Sequence, residues 1–476
     1  MHVFETVIQS IFSATFIAAI LRVTTPILLP SLGSLISSLA GVSNIGLEGM
    51  MLGAAFTGAV VSAFAAPVVG ADLAPWVGLL SGCGISVLMA MLLGIFHLKF
   101  KGDLFLSGLA LNILGSAATV AILYEITGNR GDSNDLNSYQ MPFVQLPAMA
   151  QPTPINNIGD LLYSVVFFFR SVLHNQSIMT YLAIALIGVV WFILYRTPFG
   201  MHLRAAGENP SAAESVGIRV TRIRYAALAL SGLFAGFGGI YLSMGYLDLF
   251  QRDMTAGRGY IALAAPLLGG NHPVGTGIAS LVFGFFDALS FRVGSLQIPS
   301  MLPQMIPYIA TIMALVLYAL QQRQILRVRA LRAIQGENFN AGYWRTISRL
   351  SVLHVALAMI AVIGLILMIS LIAAPNGFGG AETAIPLALI IGILSVALIA
   401  LNIPFVQRVE RITANGVYSL IAATLSLGVY FGLFLSLFFD TLPAFILGSV
   451  LALAVWLLFG GWRILRAEQR PFATAQ

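Results

Sequence analysis

The sequence contains very little charge. Only 9% of its 476 residues are Asp, Glu, Lys or Arg, whereas soluble domains carry about 25%. Hydrophobic residues make up 58% of the chain. These values exclude an ordinary soluble enzyme or binding domain, and they indicate a polytopic membrane protein.

Cysteine and lysine are almost missing as well. The single cysteine, Cys83, has no Cys or His neighbour for a disulfide or a metal, so we interpret it as a packing residue. Both lysines, Lys99 and Lys101, lie in one loop, and the chain contains no Gly-x-x-x-x-Gly-Lys-Ser/Thr sequence to cradle nucleotide phosphates. We therefore expect no ATP site, no metal, no cofactor and no catalytic residue.

The net charge of +6 comes mainly from arginine. In a soluble chain it would suggest a nucleic-acid partner, but here the basic residues lie in loops between apolar runs. Because short loops rich in Lys and Arg stay on the cytoplasmic side, their distribution predicts that both termini are cytoplasmic. Residues 1–26 lack a basic segment and a small-residue cleavage site, so we expect a retained first span rather than a signal peptide.

Apolar runs long enough to cross a bilayer, about 20 residues each, recur along the chain. We expect Pro26 and Pro30 to break the chain after the first run, and the second and third runs to form one broken or re-entrant helix. The predicted core spans are 7–28, 32–47, 50–67, 76–96, 104–126, 179–195, 225–246, 260–268, 275–291 and 302–320. The polar stretch 127–160 cannot cross hydrocarbon, and 163–169 is predicted to lie on the surface as an amphipathic element.

Further apolar runs follow the basic segment 323–332. They cover residues 350–373, 385–403, 417–439 and 444–462. We therefore predict an all-α membrane protein in which residues 1–332 form a core of about ten spans. Residues 333–476 would add about four transmembrane helices, interpreted as a lateral or regulatory module.

Residues 196–224 form a polar island between two long apolar runs. Pro198 and Gly200 are expected to end the preceding helix. Asn209 and Pro210 would open a short helix over 211–216, which Gly217 closes. The arginines of the island favour the cytoplasmic side. From composition alone, the island could also be a simple solvated connector.

The island contains LRAAGENPSAAESVGI, followed by RYAALALSGLFAGFGG. These segments resemble the coupling loop of permease subunits of bacterial ABC importers, in the family that transports nucleosides, sugars and branched-chain amino acids. In that family a helix of the loop docks in a cleft of the cytoplasmic ATPase. The resemblance assigns this role to Arg204, Gly207, Glu208, Asn209, Ala212, Ala213, Glu214 and Gly217. The two alanines would enter the cleft closely, and the carboxylates would lie at its rim.

Three further motifs are similar to the same family and occur in its order: GVSNIGLEGMMLGAAFTGAV, DLFLSGLALNIL, and DMTAGRGYIALAAPLLGG with the later FGFFDAL. An ionisable or amide side chain inside an apolar run needs a partner or water. The resemblance therefore suggests that the solute pathway is lined by Asn44, Glu48, Asn112, Phe286 and Asp287. The alternative for Glu48 is a cap at a break between two half-helices.

The resemblance covers about residues 5–322 and implies a permease subunit of the bacterial cytoplasmic membrane that works by alternating access. Its expected partners are cytoplasmic ATPase subunits, a second permease or second copy, and an extracytoplasmic binding protein. Nucleosides are favoured as the solute over simple sugars such as ribose or galactose. An ion-coupled secondary transporter is the alternative class, but such a protein usually has two inverted repeats, and no internal repeat is visible. A non-transporting scaffold is a more distant alternative.

Overall fold

The computed structural model describes residues 14–136, 138–147, 149, 158–294, 392–402, 416–435 and 441–458, with isolated residues and short pieces between 305 and 389. The regular secondary structure of this part of the chain is helical apart from two short antiparallel strands, β1 (Phe143–Val144) and β2 (Gln176–Ser177). It divides into two compact units. The first comprises Ser10–Ser290 and Ile306–Thr311, and the second comprises Met1–Gln9, Phe291–Met305 and Ile312–Gln476.

Most helices of the first part of the chain follow each other through short connections, and the long connection is residues 128–157, between the fourth helix and the fifth. The helices are α1 (Ala14–Leu39), α2 (Leu47–Val69), α3 (Ala74–Gly94), α4 (Leu104–Thr127), α5 (Ile158–Leu173), α6 (Ile178–Arg196), α7 (Pro198–Glu208), α8 (Pro210–Ser215), α9 (Val220–Ile240), α10 (Arg258–Leu268) and α11 (Pro273–Gly294). Short π-helical turns, Ile95–Lys99 and Tyr241–Tyr246, extend α3 and α9. Three helices of the second unit are described: α12 (Gly392–Asn402), α13 (Gly416–Leu435) and α14 (Thr441–Leu458).

Seven helices in the described residues are long and apolar enough to cross a membrane: α1, α2, α3, α4, α6, α9 and α11. The chain is therefore a multi-pass membrane protein. The spans predicted from residue 50 to residue 291 agree with these helices, except that 260–268 is a short helix of 11 residues. The predicted spans 302–320 and 350–373 lie mostly outside the described residues, so the total of about ten core and four additional spans stays a prediction.

The predicted break at the first prolines is wrong. Pro26 and Pro30 lie inside α1, which takes in parts of both predicted runs, 7–28 and 32–47. Membrane helices tolerate proline when neighbouring helices and hydroxyl side chains support the backbone. Here the Ser31 hydroxyl donates to the Ile27 carbonyl at 2.6 Å. The real break follows α1, at residues 40–46. It lies after the two prolines and a few residues before the boundary at 47–50 that was predicted within the broken helix.

The core of the first unit lies around α9, which packs against α1, α2 and α3. These helices approach closely at glycines, as is common between membrane helices. A methyl group at Gly239 would come within 2.1 Å of the Met51 carbonyl oxygen, and one at Gly115 within 2.7 Å of the Gly49 Cα. Close backbone packing therefore fixes α2 against both α9 and α4, and this arrangement positions the polar side chains described next.

Candidate functional site

The polar island consists of two helices rather than one. The Thr197 hydroxyl accepts a hydrogen bond from the Gly200 amide at 3.3 Å, so it caps the N-terminus of α7, and Pro198 is the first residue of that helix. The preceding helix α6 ends at Arg196, as predicted, but the loop expected before Asn209 is the helix α7, and Gly200 lies inside it. A proline at the first helical position needs no N–H partner, which is why it starts α7 as readily as it would end α6.

The second helix, α8, agrees with the predicted short helix to within one residue. The Asn209 side-chain oxygen accepts a hydrogen bond from the Ala212 amide at 3.1 Å, and Pro210 is the first helical residue. Gly217 follows with a φ of 88°, a left-handed conformation that favours glycine. The sequence therefore predicted both ends of this helix correctly.

The predicted coupling residues lie at different depths. Five are exposed: Glu208, Asn209, Ala212, Glu214 and Gly217. The guanidinium of Arg204 is half-buried and lies 4.8 Å from the ring centre of Tyr195. Ala213 is buried against Ala206 and Val220, so its methyl group packs α8 onto the rest of the protein. The sequence interpretation had placed this methyl group in a cleft of the partner.

The island contacts the break that follows α1. Gly207 lies so close to Leu39 that a methyl group there would be 2.1 Å from the Leu39 carbonyl oxygen. Arg224, at the start of α9, donates from Nε to the Ala40 carbonyl at 3.3 Å. The backbone of α7 is thus in direct contact with the end of α1.

Asn44 shapes the break itself. It is fully buried, and its side-chain oxygen accepts a hydrogen bond from the Gly46 amide at 3.1 Å. Its side-chain nitrogen donates to the Ser231 hydroxyl of α9 at 3.0 Å. Both ends of the amide group are therefore used to hold residues 40–46 against α9.

Glu48 lies in the first turn of α2 and reaches the N-terminus of α10. One carboxylate oxygen accepts hydrogen bonds from the Thr255 hydroxyl at 2.6 Å and the Gly257 amide at 2.8 Å. The other accepts from the Gly259 amide at 2.7 Å. Because helix N-termini carry partial positive charge and unpaired amides, a single carboxylate between two of them stabilises both. The geometry agrees with the capping interpretation of Glu48.

Asn112 of α4 completes the start of α2. Its side-chain oxygen accepts from the Gly49 amide at 2.8 Å, and its nitrogen donates to the Ile45 carbonyl at 2.9 Å. The same nitrogen lies 3.2 Å from the Tyr260 hydroxyl of α10. Gly46, at the N-cap position of α2, has no side chain to cap the helix, so Asn112 supplies this hydrogen bond from another helix.

Asp287 is paired with Arg258, a residue that sequence reasoning did not single out. The Arg258 Nη2 and Asp287 Oδ2 atoms are 2.8 Å apart, and each side chain is only 10% exposed. Since an intramembrane charge needs a partner, the presence of Asp287 in an apolar run was the signal for a buried arginine. Arg258 is the first residue of α10, so this ion pair and Glu48 meet at the same helix end.

These contacts define a buried polar centre around the N-terminus of α10, made of Glu48, Asn112, Arg258 and Asp287. Asn44 acts separately at the break after α1. Phe286 is half-buried and packs edge-to-face on Phe285, with ring centres 5.5 Å apart.

Two places in the chain share one arrangement, in which a long helix is followed by a non-helical break and then by a helix that starts in the core. The breaks are residues 40–46 and 247–257, although the sequence shows no repeat.

The second unit has its own buried polar cluster, which sequence reasoning missed. One ring nitrogen of His354 lies 2.8 Å from the Asn402 side-chain oxygen, and the other lies 2.9 Å from the Ser419 hydroxyl. The Trp456 indole also donates to Ser419, at 3.3 Å. The signal was a histidine inside the apolar run 350–373. Among the described residues, no group of three His, Cys, Asp or Glu side chains could hold a metal ion.

Comparison with known proteins relates this geometry to a family. Residues 16–321 match the family described as branched-chain amino acid transport system / permease component. The chain is 38% identical over 305 residues to the guanosine ABC transporter permease protein NupQ of Bacillus subtilis, covering 63% of this chain and 90% of that protein. It is 33% identical over 306 residues to the nucleoside ABC transporter permease protein NupC of Lactococcus lactis, covering 63% and 91%.

A third relative is named for a different substrate. The putative glucose ABC transporter permease protein TsgC13 of Haloferax volcanii is 32% identical over 288 residues, which cover 60% of this chain and 80% of that protein. No solved structure matches the chain. The family match ends at residue 321, so the C-terminal third of the chain lies outside it.

Proposed function

Because this chain belongs to the family of branched-chain amino acid transport system permease components, whose members are transport subunits and not enzymes, we propose that it is the permease of an ATP-driven nucleoside importer. Two relatives at 38% and 33% identity are named as guanosine and nucleoside permeases. The observation that carries the proposal is that every charged side chain of the buried polar centre is engaged, Glu48 by three hydrogen bonds and Arg258 and Asp287 by an ion pair.

That pairing favours a neutral solute. The buried charged side chains in the described residues are Glu48, Arg258 and Asp287. Three donors serve the Glu48 carboxylate, and Arg258 and Asp287 neutralise each other. An ion-coupled transporter needs an intramembrane ionisable group that can take up and release the coupling ion. Here these groups are already engaged, which argues against the ion-coupled alternative.

Nucleosides are preferred over simple sugars because aromatic surfaces lie beside the polar centre. Tyr260 is 45% exposed, and its hydroxyl is held by Asn112. Tyr308 is 48% exposed, and its hydroxyl donates to the Ala256 carbonyl at 2.9 Å. Such half-exposed rings offer stacking faces for a nucleobase, whereas a simple sugar has no comparable planar face. The sugar alternative is supported by the Haloferax volcanii relative, which is named as a putative glucose permease.

The polar island is the proposed docking surface for the ATPase. Its exposed residues are Glu208, Asn209, Ala212, Glu214 and Gly217, and the same segment exposes two apolar side chains, Met201 at 57% and Val216 at 75%. A surface that combines exposed apolar side chains with carboxylates suits a cleft in a soluble partner. Movement of this surface would pass to the end of α1 through the contact between Gly207 and Leu39, and then to the break that leads to Glu48.

The remaining partners and the orientation follow from this assignment. A second permease or a second copy of this chain, two cytoplasmic ATPase subunits and an extracytoplasmic binding protein would complete the importer. The arginine-rich polar island would be cytoplasmic, and both termini would lie on the same side. Residues 1–332 would form the transport core, and 333–476 a lateral or regulatory module.

Reconstitution tests the proposal directly. The chain, its second permease and the ATPase would be placed in liposomes with the binding protein, and guanosine uptake would be measured with and without ATP. We expect uptake only with hydrolysable ATP. Uptake driven by a proton or sodium gradient without the ATPase would contradict the proposal.

The solute is tested separately, on the binding protein. Its affinity would be measured for adenosine, guanosine, uridine, ribose and galactose. We expect it to bind nucleosides. Tight binding of ribose or galactose, with no nucleoside bound, would mean that the transported solute is a sugar. The proposed transport mechanism would stay the same.

A further inference from the structure

The polar island touches the membrane core at a second place, besides the contact between Gly207 and Leu39. Tyr195 lies in the last turn of α6, directly before the island, and it is half-buried. Its ring centre lies 4.8 Å from the guanidinium carbon of Arg204 in α7. It also lies 5.3 Å from the ring centre of His272, and the two ring planes are 32° apart. Tyr195 therefore links α7 to the turn between α10 and α11.

Both contacts of the Tyr195 ring are attractive. An aromatic ring attracts a guanidinium within about 6 Å of its centre, and two rings attract each other at centre distances of about 4.5–7 Å. The same side chain packs against the apolar cluster that contains Leu35, Leu194 and Leu203. Because a tyrosine side chain has only two χ angles and this one is held by its neighbours, it can pass on a displacement rather than absorb it.

The turn that carries His272 is tightly built. A methyl group at Gly269 or at Gly275 would overlap the backbone of the other residue, so the two ends of the turn are in direct contact. The Thr276 amide donates a hydrogen bond to the His272 carbonyl at 2.8 Å. The imidazole is fixed as well, because its Nδ1 atom accepts a hydrogen bond from the Val274 amide at 3.3 Å. A displacement of His272 therefore moves the turn together with the adjoining ends of α10 and α11.

Both helices connect this turn to the buried polar centre. α10 has 11 residues, so its two ends are roughly 15 Å apart at 1.5 Å per residue. Its N-terminus carries Arg258, which is paired with Asp287, and the Gly259 amide, which donates to Glu48. Asp287 lies in α11, the helix that begins on the other side of the same turn. A shift of the turn therefore reaches the polar centre through α10 and through α11.

We propose that Tyr195 is a positioning residue for transport, which passes movement of α7 through His272 and its turn to the buried polar centre. This inference rests on the proposed docking of the ATPase at the polar island. The contact between Gly207 and Leu39 reaches the same centre by another route, through the break 40–46 and the start of α2. Since Glu48 joins the start of α2 to the start of α10, the two routes act on the two sides of one set of hydrogen bonds.

Two variants remove one ring of this contact each. Tyr195→Leu keeps an apolar side chain against the core but has no aromatic face for Arg204 or His272. His272→Asn removes the imidazole but keeps an acceptor for the start of α11, because asparagine is a favoured N-cap residue. Tyr195→Phe keeps the ring and loses only the hydroxyl, so it is the conservative variant. Phe192→Leu is the matched control, since Phe192 lies one turn earlier in α6 and is 56% exposed.

The variants would be measured in the complete reconstituted importer. The readouts are co-purification of the ATPase, basal ATP hydrolysis, the hydrolysis stimulated by the guanosine-loaded binding protein, and guanosine uptake. We expect Tyr195→Leu and His272→Asn to keep co-purification and basal hydrolysis, but to lower stimulated hydrolysis and uptake about fivefold or more, the usual size of a coupling between sites. Tyr195→Phe and Phe192→Leu should stay within about twofold of the unmodified importer in every readout.

The outcomes separate this inference from the proposed function. If the unmodified importer takes up guanosine with ATP, and Tyr195→Leu and His272→Asn are stimulated as strongly as Phe192→Leu, the ring contact passes on no movement and only this inference fails. An equal loss in Tyr195→Phe and Tyr195→Leu would also overturn it, because the ring would then not be the part that acts. If Tyr195→Leu does not assemble with the ATPase, His272→Asn decides alone. If the unmodified importer shows no ATP-dependent uptake, the proposed function fails, and this inference fails with it.

Discussion

Gly207 of α7 packs directly on the carbonyl group of Leu39 at the end of α1, where a methyl group would be 2.1 Å from the oxygen. No side chain intervenes, so the polar island and the break after α1 touch backbone to backbone. A helix that must transmit movement to the membrane core can do so through such a contact because it has no flexible side chain to absorb it.

Gly207→Ala is expected to disturb this contact. Overpacking of this kind costs about 1–3 kcal/mol, so we predict that α7 shifts and that transport-coupled ATP hydrolysis falls about tenfold. Gly188→Ala is the matched control, since a methyl group at Gly188 in α6 meets no atom within 4 Å. Equal coupling in both variants would show that the contact between α7 and α1 does not transmit movement.

Gly217→Val tests the exit of α8. The φ of Gly217 is 88°, and a methyl group there would meet no atom within 4 Å, so only the backbone conformation opposes a side chain. A non-glycine residue in a left-handed conformation costs about 1–2 kcal/mol. We predict normal membrane assembly and weakened coupling of ATP hydrolysis to solute for valine. Gly217→Asn should keep most of the coupling, because asparagine tolerates this conformation. Equal coupling in the valine and asparagine variants would contradict a role for the left-handed backbone at Gly217.

Glu48→Gln tests the capping role. Glutamine has one acceptor oxygen and a donor group, so at least one amide at the start of α10 loses its partner. An unpaired buried polar group costs about 1–3 kcal/mol, and we expect a lower midpoint of thermal unfolding in detergent. Asp72→Asn, at an exposed position, is the control. A change of solute preference with unchanged stability would instead favour the pathway role.

Arg258 and Asp287 are suited to a double-mutant comparison. Arg258→Met leaves Asp287 buried without its partner, and breaking a buried pair in this way costs about 3–5 kcal/mol. The double variant Arg258→Met, Asp287→Leu removes both charges and should be much more stable than the single variant. Thermal unfolding and yield of folded protein in the membrane measure both. Equal loss in the single and double variants would mean that the pair contributes through something other than charge compensation.

His354→Leu tests the cluster in the second unit. The change leaves Asn402 and Ser419 without their hydrogen bonds to the imidazole, and interhelical hydrogen bonds in membranes contribute about 0.6–1.7 kcal/mol. The fluorescence of Trp456, which is fully buried and bonded to Ser419, reports this unit when the other tryptophans are replaced by phenylalanine. We expect unfolding at lower temperature, partly restored by His354→Gln. An unchanged transition would show that the cluster adds no stability.

The sequence predicted the helices well where the deciding signal lies within the helix and its immediate neighbours in the chain. The spans at 104–126 and 179–195 were placed almost to the residue, because hydrophobic length decides whether a segment crosses a membrane. The cap at Asn209 and the left-handed glycine at 217 were also predicted, since capping depends only on neighbouring residues. Pro26 and Pro30 were misjudged because their effect depends on helices that pack against them.

The sequence alone determined that this protein is a multi-pass membrane protein, that it resembles importer permeases, and that 196–224 contains a capped helix. Composition, hydrophobic length and local motifs are properties of neighbouring residues, so they can be read without the fold. Only the tertiary structure decided what the buried polar residues do. Glu48 meets the amides of α10, Asn112 caps α2, and Arg258 neutralises Asp287, although the partners are up to 211 residues apart in the chain. A side chain of one type can line a pathway or cap a helix, and the atoms that surround it in space decide between these roles.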